Sequence, residues 1–255
     1  MGILDRFRLD GKVALVTGGG KGIGRGIAIA LAECGADVAV LARRQGDVDA
    51  VAEEIRARGR RSLAISGDVM DDAVLPGAID RVVAELGAID IMVNNAGGNL
   101  DRKQHALPEI TMAKWDEQIS LNLRHKFYGS QQAAMRMADG GRIINVVSVA
   151  ALRASPGYGA YSAANAAVIA MTRTLATELG PRAITVNCIA PGIVFTEMLS
   201  ESMHLDEEGA TRAFAASIPL GRVGTPEDTA AAAVFFASPA AAWTTGQCIA
   251  VSGGP

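Results

Sequence analysis

A glycine-rich segment, Thr17-Gly18-Gly19-Gly20-Lys21-Gly22-Ile23-Gly24, joins a short apolar run to a helical pattern. Glycines let the backbone approach a pyrophosphate closely, and the following helix presents N–H groups and its positive dipole end. The spacing is Gly-x-x-x-Gly-x-Gly and not the general Gly-x-Gly-x-x-Gly, so a tight turn without a ligand stays an alternative. The candidate phosphate-binding residues are Gly18, Gly20, Lys21, Gly22, Ile23 and Gly24.

Two arginines follow the next apolar run, at the place where a dinucleotide site recognises the adenosine ribose. An acidic residue there would bind the 2′-hydroxyl of NAD, whereas this chain has Arg43 and Arg44. A guanidinium pairs with a 2′-phosphate through charge-assisted hydrogen bonds, and Lys21 adds a second positive charge nearby. We therefore predict that NADP(H) is preferred and that NAD(H) is possible. The alternative is that both arginines are solvated surface charges.

Short apolar runs alternate with longer helical patterns along the chain. The predicted strands are 13–17, 38–42, 63–66, 89–93, 142–147, 183–189 and 248–251. The predicted helices are 22–34, 47–58, 71–86, 111–138, 158–179 and 226–237. Continuous apolar strands are typical of a parallel sheet that crossover helices cover on both faces. The sequence thus predicts one α/β domain, 1–255, with a doubly wound seven-stranded parallel sheet.

Two segments, 97–110 and 192–217, fit no element and follow strand ends, where ligands bind in such sheets. We expect both to rim the site, with 193–217 as a lid over the substrate. Their mostly apolar residues favour a substrate with an apolar body, unless they simply pack the lid onto the domain. The rim residues are Asn99, Leu100, His105, Leu107, Ala150, Leu152, Arg153, Tyr158, Ile193, Val194, Met198, Leu199, Met203 and Phe214.

Several further motifs stand in a fixed order behind the glycine segment. They are Asp68-Val69, Asn94-Asn95-Ala96-Gly97, Asn122, Ser148, Tyr161, Asn187, Pro191-Gly192 with Thr196, and Gly246-Gln247 with Val251-Ser252-Gly253-Gly254. In this order the chain resembles the short-chain dehydrogenase/reductase family over nearly all of its 255 residues. The resemblance implies a one-domain Rossmann fold, a nicotinamide cofactor, hydride exchange between an alcohol and a carbonyl, and a tetramer or dimer.

The resemblance also assigns cofactor contacts beyond the glycine segment. Asp68 and Val69 would contact the adenine, and the stretch around Gly97 would line the cofactor cleft. The remaining cofactor-binding residues that it implies are Asn95, Ala96, Tyr161, Asn165, Pro191, Gly192, Val194 and Thr196.

Reduction of a carbonyl needs a hydride on carbon, which a nicotinamide carries, and a proton on oxygen. A phenol supplies the proton if its pKa is drawn down from about 10, and a second hydroxyl stabilises the charge that develops on oxygen. By resemblance, Tyr161 is the acid/base, Ser148 binds the substrate oxygen, and the backbone carbonyl of Asn122 joins a proton relay through a water. The predicted substrate-binding residues are Ser148, Arg153, Tyr158 and Met198.

One position departs from the family pattern Tyr-x-x-x-Lys, because this chain has Tyr161-Ser162-Ala163-Ala164-Asn165. The family lysine binds the nicotinamide ribose hydroxyls, and its charge lowers the pKa of the tyrosine. Asparagine can make the hydrogen bonds but carries no charge. Losing a buried cation would raise the tyrosine pKa by on the order of one to three units. We therefore expect Asn165→Lys to raise the reaction rate.

Three explanations for Asn165 stay open. The residue is native and activity survives through another cation, with Lys126 and Arg153 as candidates that the sequence does not place, or through operation at alkaline pH. It was engineered to trap a complex. Or the chain is a relative that binds the cofactor without redox turnover. An alcohol dehydrogenase or ketoreductase is the leading function, and a dehydratase, an epimerase or a non-catalytic cofactor-binding protein is the alternative.

The composition of the chain disfavours several classes of binding partner. The net charge is -3, aromatics make up 4% of the chain, and no basic block occurs, so nucleic acid and membrane are disfavoured. No run reaches the length of a membrane span. Three unpaired cysteines are typical of reduced thiols in the cytoplasm, and the three histidines lack metal-ligand spacing. We expect a cytoplasmic homo-oligomer that binds a small-molecule substrate and no metal.

Overall fold

A computed structural model describes residues 2–99 and 105–254. Its strands are β1 (Val13–Thr17), β2 (Asp37–Ala42), β3 (Ser62–Ser66), β4 (Ile91–Asn94), β5 (Arg142–Val146), β6 (Thr185–Pro191) and β7 (Cys248–Val251). They form one sheet in the order β3-β2-β1-β4-β5-β6-β7. Every neighbouring pair is parallel. The predicted seven-stranded parallel sheet is confirmed.

The helices of the described residues are α1 (Gly22–Glu33), α2 (Gln45–Ala57), α3 (Val74–Leu86), α4 (Met112–Ile119), α5 (His125–Arg136), α6 (Gly159–Leu179), α7 (Glu197–Met203), α8 (Glu207–Phe214) and α9 (Pro226–Ala237). Helices α1, α2 and α9 bury their apolar residues against one face of the sheet. Helices α3, α5 and α6 cover the other face. Successive residues of β1 enter opposite cores, Ala14 one and Leu15 the other. That is why the central strands are apolar at every position.

The predicted long helix 111–138 is confirmed as a continuous helical run from Met112 to Arg136, in which the backbone hydrogen bonding changes part-way. Thr111 caps α4 by accepting the N–H of Lys114, and a π-helical turn at Ser120–Arg124 separates α4 from α5. Hydrophobic periodicity does not register such a turn, because it changes the backbone hydrogen bonds without changing the residue types.

Two other boundaries move for local reasons. Helix α3 begins at Val74, three residues after the predicted start, because the carboxylates of Asp68 and Asp71 accept the N–H groups of Met70 and Ala73. Such aspartate turns compete with the helix. The unassigned segment 192–217 contains α7 and α8, which Thr196 and Asp206 cap through their side chains.

None of the helices in the described part of the chain combines the length and the hydropathy that crossing a membrane requires. Within residues 2–99 and 105–254, no group of three His, Cys, Asp or Glu side chains is arranged to hold a metal ion.

Candidate active site

The glycine segment forms a tight cradle between β1 and α1. A Cβ on Gly24 would lie 2.1 Å from the carbonyl oxygen of Gly18, so only glycine fits there. Helix α1 has no side-chain cap and no acid in its first turn. Its first N–H groups are therefore available to an anion, which is the condition for binding a pyrophosphate. The cradle fits a dinucleotide.

Strand order supports the same location. β1 lies between β2 and β4, so the chain reverses its winding direction beside β1, where doubly wound sheets bind ligands. The hydroxyl of Thr17 accepts the N–H groups of Asn95 (3.0 Å) and Ala96 (3.1 Å). The amide of Asn95 donates to the carbonyls of Thr17 (3.0 Å) and Gly18 (3.3 Å). These bonds fix the end of β4 against the glycine cradle.

At the predicted adenosine end, Arg43 and Arg44 are exposed, and neither guanidinium makes an ion pair with a described residue. Lys21 differs, because its ammonium lies 3.5 Å from the carboxylate of Asp47. Val69 is buried and Asp68 is exposed.

The segment after β6 reaches the cradle from the other side. Pro191 is buried at the end of β6, and a Cβ on Gly192 would lie 2.8 Å from the Cα of Ser252. Val194 is buried and pairs with Gly224. A Cβ on Gly22 would lie 3.0 Å from the Cγ2 of Thr196. The structure thus brings the sequence-predicted residues around Thr196 next to the start of α1.

Ser148 and Tyr161 meet beyond the end of β5. Ser148 follows β5 and Tyr161 lies in the first turn of α6. Ser148 and Asn165 lie beside the phenol of Tyr161 and act to lower its pKa, but burial has the larger effect, so the pKa is raised above 10.0. At neutral pH the phenol therefore carries its proton, which is the form that protonates a carbonyl oxygen.

Asn122 lies in the π-helical turn and is almost completely buried. Its Oδ1 accepts the N–H of Gly98 (2.9 Å), and its Nδ2 donates to the Gly98 carbonyl (3.0 Å) and to the Oε1 of Gln118 (2.9 Å). Since both ends of its amide are engaged, the Asn122 side chain holds the loop after β4 in place. The predicted relay through its backbone carbonyl stays a prediction.

Asn165 occupies the position of the family lysine and is 1% exposed. Its Nδ2 donates to the backbone carbonyl of Tyr161 at 2.9 Å. No charge enters the site from this position.

Lys126 is the residue whose place the sequence left open, and it is 1% exposed. Its Nζ lies 2.9 Å from the position that a Cβ on Gly97 would take, and the Oδ1 of Asn122 lies 2.9 Å from the same position. Burial lowers the pKa of Lys126 to about 7. Burial, and secondarily the charge of Lys126, lower the pKa of the neighbouring His125 to about 3, so His125 is neutral. The available signal was the spacing Asn122-x-x-x-Lys126, which puts both side chains on one helix face.

Arg153, the other candidate cation, is exposed.

A cavity opens directly beside Tyr161. Its lining residues are Asn99, His105, Ile110, Lys114, Glu117, Gln118, Gly157, Tyr158, Gly159, Ala160 and Tyr161. Among the predicted substrate residues, Tyr158 lines it, whereas Ser148, Arg153 and Met198 do not. Met198 is half exposed on α7. The sequence missed the α4 residues because the helix face that they occupy depends on the π-helical turn. Leu100 lies outside the described residues, and the side chain of Leu107 is not described.

Comparison with known proteins agrees with this geometry. A family model described as enoyl-(acyl carrier protein) reductase matches residues 18–255. The 2-dehydro-3-deoxy-D-gluconate 5-dehydrogenase of Escherichia coli (strain K12) is 38% identical over 255 residues, which cover 99% of this chain and 98% of that protein. The chain belongs to the short-chain dehydrogenase/reductase family.

Two solved structures resemble this short-chain dehydrogenase/reductase closely. A 7α-hydroxysteroid dehydrogenase in complex with NADH and 7-oxo-glycochenodeoxycholic acid is 36% identical, with a TM-score of 0.91 over 100% of this chain and 98% of that one. A blue fluorescent protein from a metagenomic library, in complex with NADPH, is 37% identical, with a TM-score of 0.88 over 97% and 98% of the two chains. These relatives support an NAD(P)-dependent redox role.

Proposed function

We propose that the protein is an NADP(H)-preferring alcohol dehydrogenase or ketoreductase that interconverts a secondary alcohol and a ketone. The observation that carries this proposal is the placement of Ser148 beside the buried phenol of Tyr161, which lines a cavity. For carbonyl reduction the protein must supply a hydroxyl that binds the substrate oxygen and an acid, here a phenol, that protonates it.

The nicotinamide cofactor, when bound, supplies or accepts the hydride. The glycine cradle and the open N–H groups of α1 would hold its pyrophosphate. Ser148 donates a hydrogen bond to the substrate oxygen, and Tyr161 gives its phenolic proton to that oxygen as the carbonyl is reduced. In the opposite direction Tyr161 must first lose its proton. Because its pKa is raised, alcohol oxidation should accelerate as the pH rises toward 10.

The cavity favours a substrate with an apolar body and one polar end. Ile110 and Tyr158 provide apolar contacts, and His105 and Lys114 form a polar corner in which the His105 Nε2 lies 3.1 Å from the Lys114 Nζ. The E. coli relative is named for a sugar acid and the structural neighbour holds a steroid ketone, so relatives span both polarities. We propose that α7 and α8, within 193–217, cover the substrate.

The test is a substrate panel followed by the absorbance of reduced nicotinamide. It contrasts hydrophobic ketones, hydrophobic keto acids and neutral sugars, each with NADPH and with NADH. Turnover of the first two groups with NADPH supports the proposal. Turnover of neutral sugars alone contradicts the substrate class. Tight cofactor binding without turnover of any ketone would instead indicate the non-redox relative.

A further inference from the structure

Lys126 presents an energetic problem that the described residues do not solve. Its side chain is fully buried, yet no hydrogen bond or ion pair joins the ammonium to any other described residue. Lysine is almost never fully buried without a partner, since taking its charge out of water is unfavourable. The ammonium faces Gly97, at the loop that ends β4. A group that binds in this cleft is thus the partner that the lysine lacks.

A row of buried, hydrogen-bonded side chains joins α5, which carries Lys126, to α6. The amide of Asn94 donates to Ser130 on α5 (3.0 Å) and to Asn145 on β5 (2.9 Å). Asn145 donates to Thr172 on α6 (3.0 Å), and the Thr172 hydroxyl lies 3.0 Å from the Sγ of Cys188. These hydrogen bonds join α5 to α6, which cover the same face of the sheet.

Both helices run antiparallel to the strands, so moving toward their N-termini moves toward the cofactor edge of the sheet. Lys126 is four residues before Ser130, and Asn165 is seven residues before Thr172, which keeps each on the face of its partner. Lys126 on α5 and Asn165 on α6 therefore both lie on the cofactor side of this row of polar side chains. The charge of Lys126 also acts to lower the pKa of Cys188 on β6, whose Sγ lies 3.0 Å from the Thr172 hydroxyl of α6.

We propose that Lys126 supplies, from α5, the cation that Asn165 no longer supplies from α6. Its ammonium donates hydrogen bonds to hydroxyls of the cofactor in the cleft and stabilises the phenolate of Tyr161 during proton transfer. This proposal rests on the proposed function. Lys126 acts as a positioning and charge-stabilising residue, and the proton that the substrate receives comes from Tyr161.

The ionisable groups around Lys126 leave it as the source of positive charge. His125, beside it on α5, is neutral because its pKa is about 3. Cys188 on β6 keeps its proton, since its pKa is raised by the hydrogen bond with Cys248 and by burial. Among these described groups, only Lys126 carries positive charge in the neutral range.

The experiment is a two-residue cycle of Lys126→Met, Asn165→Lys and the double variant, with Lys12→Met as the matched control. Met keeps the length of the side chain and removes the charge. Lys12 undergoes the same substitution at the opposite edge of the sheet, where its ammonium is exposed and pairs with Asp90 at 3.0 Å. Each protein is assayed for NADPH affinity by fluorescence and for the pH dependence of alcohol oxidation.

We expect Lys126→Met to weaken NADPH binding about tenfold. We also expect the alkaline limb of the pH profile to move up by on the order of one to three units, with oxidation 10- to 1000-fold slower at neutral pH. The double variant should regain most of both losses, because it returns one cation to the site. Asn165→Lys alone places two ammoniums there and should slow the reaction, which reverses the sign expected from the sequence.

Two results would overturn the proposal. One is unchanged NADPH affinity together with an unchanged pH profile in folded Lys126→Met. The other is a folded double variant no better than Lys126→Met in both readouts.

A separate readout keeps this test distinct from that of the proposed function. With ¹³C-labelled lysine, the Lys126 signal is assigned by its absence in Lys126→Met and is titrated with and without NADP⁺. A pKa that changes on NADP⁺ binding supports the contact even if no substrate is turned over. A pKa that does not change, in a protein that binds NADP⁺, contradicts it.

Discussion

At the scale of single residues, the buried charge of Lys126 lowers the stability of the cofactor-free protein. A cofactor that hydrogen-bonds the ammonium would offset this cost. Its folded-state pKa of about 7 lies below the usual 10.5. Between these two values the unfolded chain binds more protons than the folded one, so the contribution of this residue makes stability rise with pH. Below pH 7 the cost is complete and constant.

Lys126→Met should therefore raise the free energy of unfolding of the cofactor-free protein at pH 7 by on the order of a few kcal/mol. The gain should shrink as the pH approaches 10. Urea unfolding of both proteins at pH 7 and pH 9.5 measures the difference, in which the other ionisable groups cancel. If Lys126→Met were the less stable protein at pH 7, the ammonium would have a partner.

The two exposed arginines after β2 should set the choice of cofactor. Replacing Arg43 and Arg44 by serine should weaken NADPH binding at least tenfold, because charge-assisted hydrogen bonds to the 2′-phosphate are lost. NADH binding should change less than about threefold on the same argument. Arg58→Ser is the control, since Arg58 pairs with Glu33 at the far end of α2. Equal losses for both cofactors would refute the assignment.

Residues within short motifs could be predicted from the sequence, and residues joined only by packing could not. The glycine cradle, Ser148 and Tyr161 were predictable because their residue types and spacing indicate their chemistry. Lys126 stands in an unremarkable run, 39 positions before Asn165 in the chain. The inference that the two serve one site depends on the hydrogen bonds that join α5 to α6 through Asn94 and Asn145, and the sequence does not reveal these bonds.

At the scale of elements, close packing of α1 on α9 positions the glycine cradle. A Cβ on Gly26 would lie 2.7 Å from the Cβ of Pro226 and 3.2 Å from its carbonyl carbon. The two backbones thus approach each other at a glycine, and a larger residue would push them apart.

Two helical glycines allow this packing to be tested against helix propensity. Gly26→Ala should lower the free energy of unfolding by about 1 to 3 kcal/mol, because overpacking outweighs the gain in propensity. Gly46→Ala in α2, where a Cβ would meet nothing within 4 Å, should raise it by about 0.5 to 1 kcal/mol. Denaturant unfolding of the two variants measures both changes. A stabilised Gly26→Ala would show that α9 moves away from α1 without loss of stability.

Most elements were predictable because a sheet covered on both faces needs continuous apolar strands, and its helices need apolar stripes. The π-helical turn at Ser120–Arg124 was not, although it orients both Asn122 and the α4 residues of the cavity. Its cause lies in backbone hydrogen bonding that residue types do not reveal.

At the scale of the whole molecule, the described surface carries large apolar side chains on α4 and α5. Met112 is 70% exposed, Met135 71% and Phe127 44%. Phe127 and Met135 are eight residues apart, which places them on nearby faces of α5. An apolar surface of this kind favours association of copies through these helices.

The double variant Phe127→Arg, Met135→Glu should reduce the molar mass measured by sedimentation, because charges replace apolar contacts at the proposed interface. Leu4→Glu is the control, since Leu4 is 79% exposed in the short 3-10 helix Leu4–Phe7 and belongs to neither α4 nor α5. An unchanged mass in the double variant, with an oligomeric parent protein, would place the interface elsewhere.

Carbonyl reduction by this protein is proposed to depend on proton transfer from the phenol of Tyr161. The decisive measurement is the single-turnover rate of ketone reduction in Tyr161→Phe, with NADPH affinity measured in the same samples. We predict an affinity within about threefold of the parent protein and a rate lower by about 10² to 10⁴. A rate equal to that of the parent protein would contradict the account.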